Sequence, residues 1–151
     1  MNATRQFCTF SVDGLFFGVD VLKVQEVIRY QEMTRVPLAS TVVRGLINLR
    51  GQIVTAIDLR RRLGLKDRNK DALPMNVVVR TQDGAVSLLV DEIGDVLEID
   101  DDTREAPPET LTGASRLMIT GVYKLKDRLM LVLDTERAVD LQSAAQSGAK
   151  A

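Results

Sequence analysis

Short apolar runs separated by turn residues fill the first half of the chain and predict strands rather than long helices. In QFCTFSV (6–12) side chains alternate, Asp13-Gly14 follows as a hairpin turn, and LFFGV (15–19) returns as a second strand. VQEVI (24–28) extends again. GLINLRGQIVTAIDL (45–59) has the pattern of a strand pair joined at Arg50-Gly51. The pattern is typical of a mainly β protein.

The second half of the chain has the same pattern. MNVVVR (75–80) and AVSLLV (85–90) flank a Gln-Asp-Gly turn, and VLEI (96–99) extends after them. LMITGVYKL (117–125) and RLMLVL (128–133) flank Lys-Asp and predict one more hairpin. We therefore expect strands throughout, with short helices between them.

Three aspartates are placed to begin short helices. Asp58 precedes LRRRLGL, in which Gly64 fits a helix stop, and Asp20 precedes one helical turn. Asp134 precedes a helix on which Ala138, Leu141 and Ala145 would share a face. Each helix is therefore expected to begin at an aspartate N-cap.

Two segments of the chain match at one constant offset. Four identical pairs relate residues 45–63 to residues 121–139: Gly45 and Gly121, Leu49 and Leu125, Asp58 and Asp134, Arg61 and Arg137. The match predicts two similar small β-barrels, each closed by a helix with an aspartate cap. Two unrelated hairpins could share this pattern as well, and the sequence leaves that alternative open.

The residue types missing from the chain exclude most enzyme chemistry. The 151 residues carry a net charge of −1, which gives no general basic field for nucleic acid or a membrane surface. The chain has no histidine and one cysteine, Cys8, so catalytic Ser-His-Asp or Cys-His sets and the usual zinc sites are excluded. No apolar run approaches the roughly 20 residues of a membrane span. Carboxylate or lysine chemistry remains open but has no motif behind it, and we expect a cytoplasmic protein without catalytic residues, metal or cofactor.

Charged clusters leave one alternative function. The acidic residues between 91 and 102 lack the spacing of a calcium-binding loop, and no glycine-rich nucleotide motif is present. The basic residues Arg60, Arg61, Arg62, Lys66 and Arg68 could contact phosphates, so a small barrel that binds oligonucleotides is the alternative. We favour a solvated helix face for this run, because no aromatic residues alternate with the basic ones.

Several motifs together resemble the CheW family of chemotaxis coupling proteins, from about Gln6 to Val139. They are KVQEVI (23–28), VRGLINLRGQIVTAIDLRRRLGL (43–65), LLVDEIGDVLEI (88–99) and ITGVYKLKDRLMLVLD (119–134), with NLRG and the following IDL the most specific. The resemblance implies a single all-β domain over 6–139 with short helices, built of two SH3-like five-stranded barrels. We place these at about 15–70 and 75–133, with terminal segments exchanged, and residues 140–151 as a helix end and flexible tail.

The function that the resemblance implies is that of a non-enzymatic adaptor. Such a protein links the cytoplasmic tips of methyl-accepting chemoreceptors to the histidine kinase CheA, in receptor arrays at the inner membrane. It neither binds nucleic acid nor inserts into the membrane. The sequence does not distinguish a flagellar pathway from a pilus or other chemosensory pathway.

Arg50 is the strongest candidate contact residue. On residue chemistry alone it is a solvated hairpin tip or a planar donor for a partner's carboxylates and carbonyls. The resemblance implies that it contacts the receptor. Val24 and Glu26, two apart on one strand, are expected to share a face and match receptor-contact positions in the family. Val86 and Ile93 would complete a groove between the barrels, although a core role fits them nearly as well.

The remaining predicted positions have kinase-binding or structural roles. The resemblance implies that the kinase contacts apolar surface of the first barrel, which we assign to Val42, Val43 and Leu46. Gly45 permits a close approach, Gly51 makes the turn and Asp58 caps a helix, and we expect these three residues to be structural.

Overall fold

Ten strands and three short helices form the fold in the computed structural model, which describes residues 3–111 and 113–141. The strands are β1 (Thr4–Val12), β2 (Leu15–Asp20), β3 (Val24–Ile28), β4 (Val43–Leu49), β5 (Gln52–Asp58), β6 (Met75–Thr81), β7 (Gly84–Val90), β8 (Glu92–Asp100), β9 (Ile119–Lys124) and β10 (Leu129–Leu133). The helices are α1 (Leu59–Arg62), α2 (Gly113–Met118) and α3 (Thr135–Val139), with 3₁₀ turns at Val21–Lys23 and Asp101–Thr103. Most of the predicted tail, residues 142–151 with Ala145, lies outside the described residues.

The strands form two five-stranded sheets, as predicted. The first sheet has the order β8-β1-β2-β10-β9 and the second the order β3-β6-β7-β5-β4. The approximate barrel bounds, 15–70 and 75–133 with terminal segments exchanged, do not assign every strand to its sheet. β2 belongs with the late strands, while β6 and β7 belong with the early ones. Apolar periodicity identifies strands, but it does not indicate which strand edges pair.

The two halves of the chain exchange their first hairpins. The β1–β2 hairpin completes the sheet of β8, β9 and β10, and the β6–β7 hairpin completes the sheet of β3, β4 and β5. The joining pairs are parallel, with Leu131 opposite Phe17 and Thr55 opposite Val86. Parallel neighbours need a long connection between them. Residues 59–83 connect β5 to β7, and residues 21–128 connect β2 to β10.

Hydrogen bonds repeat at the offset of 76 residues that relates Gly45 to Gly121. The backbone N–H of Asp58 donates to the carbonyl of Val42 at 2.7 Å, and that of Asp134 donates to Met118 at 2.8 Å. In the same way Arg61 Nη1 donates to the carbonyl of Thr41, and Arg137 Nη1 to that of Leu117. Both hairpins also have a bulge at the same place, next to the paired glycines. The agreement supports a duplicated unit rather than two unrelated hairpins.

Apolar side chains form one core that both sheets share and a smaller core inside each sheet. The shared core contains residues from both sheets and all three helices, among them Phe10, Phe17, Ile57, Leu88, Met118, Leu131 and Ala138. The inner core of the first sheet includes Phe7, Phe16 and Tyr123. That of the second sheet includes Ile47, Val54, Val78 and Leu89. The shared core fixes the two sheets relative to each other.

Two helices differ from the sequence prediction in extent. Leu117 and Met118 were expected in a strand, but they end α2, and β9 begins only at Ile119. The helix α3 ends at Val139 and is interrupted at Asp140, Leu141 is again helical, and Ala145 lies outside the described residues. The predicted caps are confirmed, since the carboxylates of Asp20, Asp58 and Asp134 each accept a backbone N–H of the following turn.

Candidate functional site

Arg50 is held in an unusual backbone conformation at the tip of the β4–β5 hairpin. Its φ is +51° and that of Gly51 is +88°, the combination found in two-residue type I′ turns. The side chain of Asn48 accepts a hydrogen bond from the Gly51 N–H at 2.9 Å and closes the turn. A left-handed conformation costs an arginine about 1 kcal/mol, and such turns favour Asn or Gly. The turn itself therefore gives no reason for an arginine.

Arg50 forms an ion pair with Glu26 on the far edge of the same sheet. Arg50 Nη2 lies 2.9 Å from Glu26 Oε1. The strands that carry them, β3 and the β4–β5 hairpin, are separated by β6 and β7 in the sheet order, so the pair joins two edges across the barrel rim. The Arg50 side chain is 81% exposed and the Glu26 side chain 17% exposed. The pair therefore orients a guanidinium whose surface remains open to a partner.

Val24 and Glu26 do not share a face, and the prediction that they do was wrong. Val24 pairs with Val79 but Glu26 pairs with Val78, because a bulge shifts the register between them. Adjacent residues of β6 point to opposite sides of the sheet, and Val79 belongs to the shared core while Val78 belongs to the inner core. The bulge turns Glu26 toward the rim and Val24 toward the other sheet.

The three apolar residues expected at the receptor surface all lie against the shared core. Val24, Val86 and Ile93 are partly buried and pack on it. Val24 pairs with Val79 in the second sheet, and Ile93 pairs with Phe10 in the first. The two pairs correspond, because Ile93 follows Val24 by 69 residues and Val79 follows Phe10 by the same number. The structure thus brings these residues to one boundary between the sheets and places Arg50 and Glu26 at the rim of the second sheet.

The residues expected to bind the kinase lie on or just before β4. Val42, Val43 and Leu46 are all partly buried. Leu46 exchanges two backbone hydrogen bonds of 2.8 Å with Thr34, which covers the edge of β4 at that position. A partner would therefore meet β4 mainly before Leu46, where Val42 and Val43 are accessible.

Gly45 lies where the chain leaves no room for a side chain. A Cβ atom there would be 2.7 Å from the carbonyl oxygen of Thr34 and 3.0 Å from the Cβ of Met33. The close approach allows the Thr34–Leu46 bridge to form beside it. The structural role predicted for Gly45 therefore has a clear geometric basis.

Asp58 does more than cap α1. Its side chain is fully buried and accepts the backbone N–H of Arg60 at 3.0 Å. Arg44 Nη1 lies 3.3 Å from its carboxylate, and Arg68 Nη1 lies 3.8 Å away. A buried carboxylate is tolerated only with such partners, so Asp58 organises the arginines around it.

The arginines of α1 are not a solvated helix face, contrary to the sequence interpretation. The side chain of Arg60 is 13% exposed and donates two hydrogen bonds, of 3.0 and 2.7 Å, to the carboxylate of Asp91. Arg62 donates to the carbonyls of Ala138 and Arg137 at the end of α3, both at 2.8 Å. Each arginine has a specific partner, and Arg62 joins the two repeated units.

Asp91 lies where the chain passes from the second sheet to the first. Arg60, Arg68 and the backbone N–H of Asp13 all donate to its carboxylate. Burial alone would raise the pKa of Asp91, but these hydrogen bonds outweigh burial and hold its pKa below the ordinary value. Sequence analysis missed this cluster, because residues so far apart in the chain give no local pattern.

The described part of the chain shows neither a metal-binding cluster nor a membrane-spanning helix. Residues 3–111 and 113–141 contain no group of three or more His, Cys, Asp or Glu side chains placed to hold a metal ion. Among the helices in that part of the chain, none is long and apolar enough to cross a membrane. The rim and the boundary between the sheets remain the candidate surfaces.

Comparisons with known proteins agree with the geometry. The CheW-like domain family matches residues 6–143. The chain is 30% identical to the chemotaxis protein CheW of Bacillus subtilis over 140 residues, 93% of this chain and 90% of the relative. It is 31% identical to CheW of Thermotoga maritima over 145 residues, 92% and 91% of the two chains.

A solved structure has the same fold. The crystal structure of the scaffolding protein TtCheW from Thermoanaerobacter tengcongensis matches with a TM-score of 0.82 and 27% identity, over 93% of this chain and 94% of that one. The family match covers most of the chain, and the two-sheet architecture is the one seen in that scaffold. The chain therefore belongs to the CheW family of non-enzymatic chemotaxis scaffold proteins.

Proposed function

We propose that the protein couples chemoreceptors to the histidine kinase CheA by binding both, in the cytoplasm at the inner-membrane receptor arrays. The observation that carries the proposal is Arg50, an exposed guanidinium in a backbone conformation that favours other residues. The ion pair with Glu26 holds this guanidinium at the rim. A residue that keeps a strained backbone conformation without a stabilising contact in the turn itself is often a functional residue. Membership of the family supports the two kinds of partner.

Receptor contact is assigned to Arg50 and Glu26 at the rim, with Glu26 acting through the guanidinium that it orients, and to Val24, Val86 and Ile93 at the boundary of the sheets. An arginine can donate to backbone carbonyls or carboxylates of a helical receptor tip, while the partly buried valines and isoleucine supply apolar area around it. Kinase contact is assigned to Val42, Val43 and Leu46, near the start of β4. Because Arg50 follows the other end of that strand, one protein could hold both partners at once.

A three-component reconstitution tests the coupling. Vesicles that carry receptor cytoplasmic domains are mixed with CheA, with and without this protein, and sedimented. We expect CheA to sediment with the vesicles only when the protein is present, and its autophosphorylation rate to rise at the same time. If CheA stays in the supernatant at saturating protein, coupling is not the function. The same assay run with receptors of a flagellar or a pilus pathway distinguishes the two outputs.

An oligonucleotide-binding function has little support. Arg60 and Arg62 are engaged with Asp91 and with the end of α3, so the basic run is not free to track a phosphate backbone. A fluorescence-anisotropy titration with single-stranded DNA at low salt checks this alternative. Tight binding that weakens steeply with salt would favour it over the adaptor.

A further inference from the structure

We propose that the groove between residues 30–44 and residues 61–74 binds an acidic peptide segment of a partner protein, at a site separate from the Arg50 rim. The groove has a volume of about 1040 Å³. Its walls are the long connection before β4 and the connection that follows α1. The proposal concerns the chemistry of the ligand and does not depend on which protein supplies it.

The charges that line the groove are unbalanced. It is lined by five cationic side chains and one carboxylate, that of Asp67: the cations are Arg35, Arg44, Arg61, Arg68 and Lys70. Asp58 and Asp91, behind the groove, pair with three of the arginines. Asp91 also pairs with Arg60, whose other partner is Asp13, so six cations stand against four carboxylates and two positive charges are left uncompensated. Arg35 and Lys70 supply this excess, since neither has an ion pair with any residue in the described part of the chain.

Arg68 gives independent evidence that the groove's own carboxylates do not satisfy its cations. Its side chain is 5% exposed, and its Nε donates to Asp91 at 3.0 Å. Its Nη2 is buried and has no hydrogen-bond partner among the described residues. Buried guanidinium donors are nearly always paired, and carboxylates are the planar acceptors that match them best.

The size and the apolar lining of the groove favour a peptide over a small anion. Its volume reaches the upper limit of the roughly 300–1,000 Å³ of ordinary small-molecule pockets, and a single phosphate would fill little of it. Met33, Val36, Pro37 and Leu38 line it beside the cations, and Leu38 is fully exposed. This combination fits a segment in which acidic and aliphatic side chains alternate.

The groove and the Arg50 rim lie at opposite ends of β4. Val43 begins the strand and lines the groove, whereas Arg50 follows its last residue, Leu49. Seven residues of extended strand span roughly 20 Å, too far for one side chain to serve both places. A ligand in the groove would therefore leave the rim accessible.

Amide chemical shifts of the full-length protein, titrated with a capped peptide of alternating Glu and Leu, test the proposal. We expect shifts to concentrate in residues 30–44 and 67–74. The matched peptide with Gln in place of Glu should bind at least about tenfold more weakly. The double variant Arg35→Gln/Lys70→Gln should weaken binding of the acidic peptide about five- to tenfold. Its thermal melt should be unchanged, because neither residue takes part in the buried cluster. Lys126→Gln, an exposed cation on the other sheet, is the control and should bind as wild type.

Three results with the peptides and the double variant would overturn the proposal, and a fourth comes from phosphate. The Gln peptide could bind as tightly as the Glu peptide, the shifts could map outside the groove, or the double variant could bind like wild type. Inorganic phosphate is titrated separately. If it shifts the same amides at lower concentration than the acidic peptide does, the groove is a phosphate site and the peptide assignment is wrong.

Discussion

Arg50 and Glu26 join the two edges of the second sheet through a contact of 2.9 Å between Nη2 and Oε1. With the arginine side chain 81% exposed, such a pair contributes only about 0–1 kcal/mol to stability. Its structural value is therefore small. We propose that the pair holds the guanidinium in place for a partner.

A double-mutant cycle tests whether Glu26 acts through Arg50. Glu26→Ala should weaken receptor binding by a few-fold, because Arg50 loses its orienting partner. The double variant Glu26→Ala/Arg50→Ala should bind no worse than Arg50→Ala alone. Binding is measured by calorimetry with a receptor-tip fragment. Additive losses would mean that Glu26 contacts the receptor independently.

Gly45→Ala should destabilise the protein by about 1–3 kcal/mol, because the new methyl group would meet the Thr34 carbonyl at 2.7 Å. Urea unfolding followed by circular dichroism measures the change. Gly51→Ala is a useful comparison. No atom lies within 4 Å of a Cβ at that position, so its cost should come from the positive φ alone. An unchanged midpoint for Gly45→Ala would show that the strand moves freely away from Thr34.

Asp58→Ala should cost about 3–5 kcal/mol, well above the ~1 kcal/mol of an ordinary N-cap, because it removes a buried anion from the buried Arg68 and from the partly exposed Arg44 and Arg61. The repeated residue Asp134 supplies the control. Its side chain is 27% exposed, and it caps α3 beside a largely exposed Arg137. Asp134→Ala should therefore cost only about 1 kcal/mol in the same urea titration. Equal losses would contradict the role assigned to the buried cluster.

Asp91 makes the stability depend on acid pH. Its pKa in the folded protein lies below the ordinary aspartate value of about 3.8, so its contribution is fully present once the pH is well above that value. The contribution is lost as the pH falls through the lower, folded pKa. We expect Asp91→Asn to be less stable than wild type at pH 7 and the gap to close below pH 3.8. Thermal melts between pH 7 and 2.5 measure this gap, and one that is constant over that range would exclude the linkage.

Local features could be predicted from the sequence, and long-range pairing could not. The hairpin at Arg50-Gly51 and the caps at Asp58 and Asp134 depend on neighbours within four residues, so their pattern is visible in the chain. An exchange of segments was expected from the family resemblance, but which hairpins exchange depends on the parallel registers of β2 with β10 and of β7 with β5, which leave no local pattern.

In the candidate site, too, local features could be predicted from the sequence and features that depend on long-range pairing could not. Arg50 was proposed as a contact from its place at a hairpin tip together with the family resemblance, and that role stays a prediction. The bulge between Val24 and Glu26 was missed because it depends on the register with β6. The clustering of Asp13 and Asp91 with Arg60 joins three distant segments, and only the folded chain reveals it.

Substitution of Arg50 tests the central claim, that this residue is a contact and not a part of the fold. Arg50→Ala should weaken binding of a receptor-tip fragment at least tenfold, about 1.4 kcal/mol, with the thermal melt nearly unchanged. Arg50→Asn gives a sharper result. Asn suits the positive φ, so this variant should melt at or above the wild-type temperature and still fail to bind. Lys126→Ala, at the repeated position of the β9–β10 hairpin, is the matched control and should bind normally. Wild-type receptor affinity in Arg50→Ala and Arg50→Asn would contradict the account.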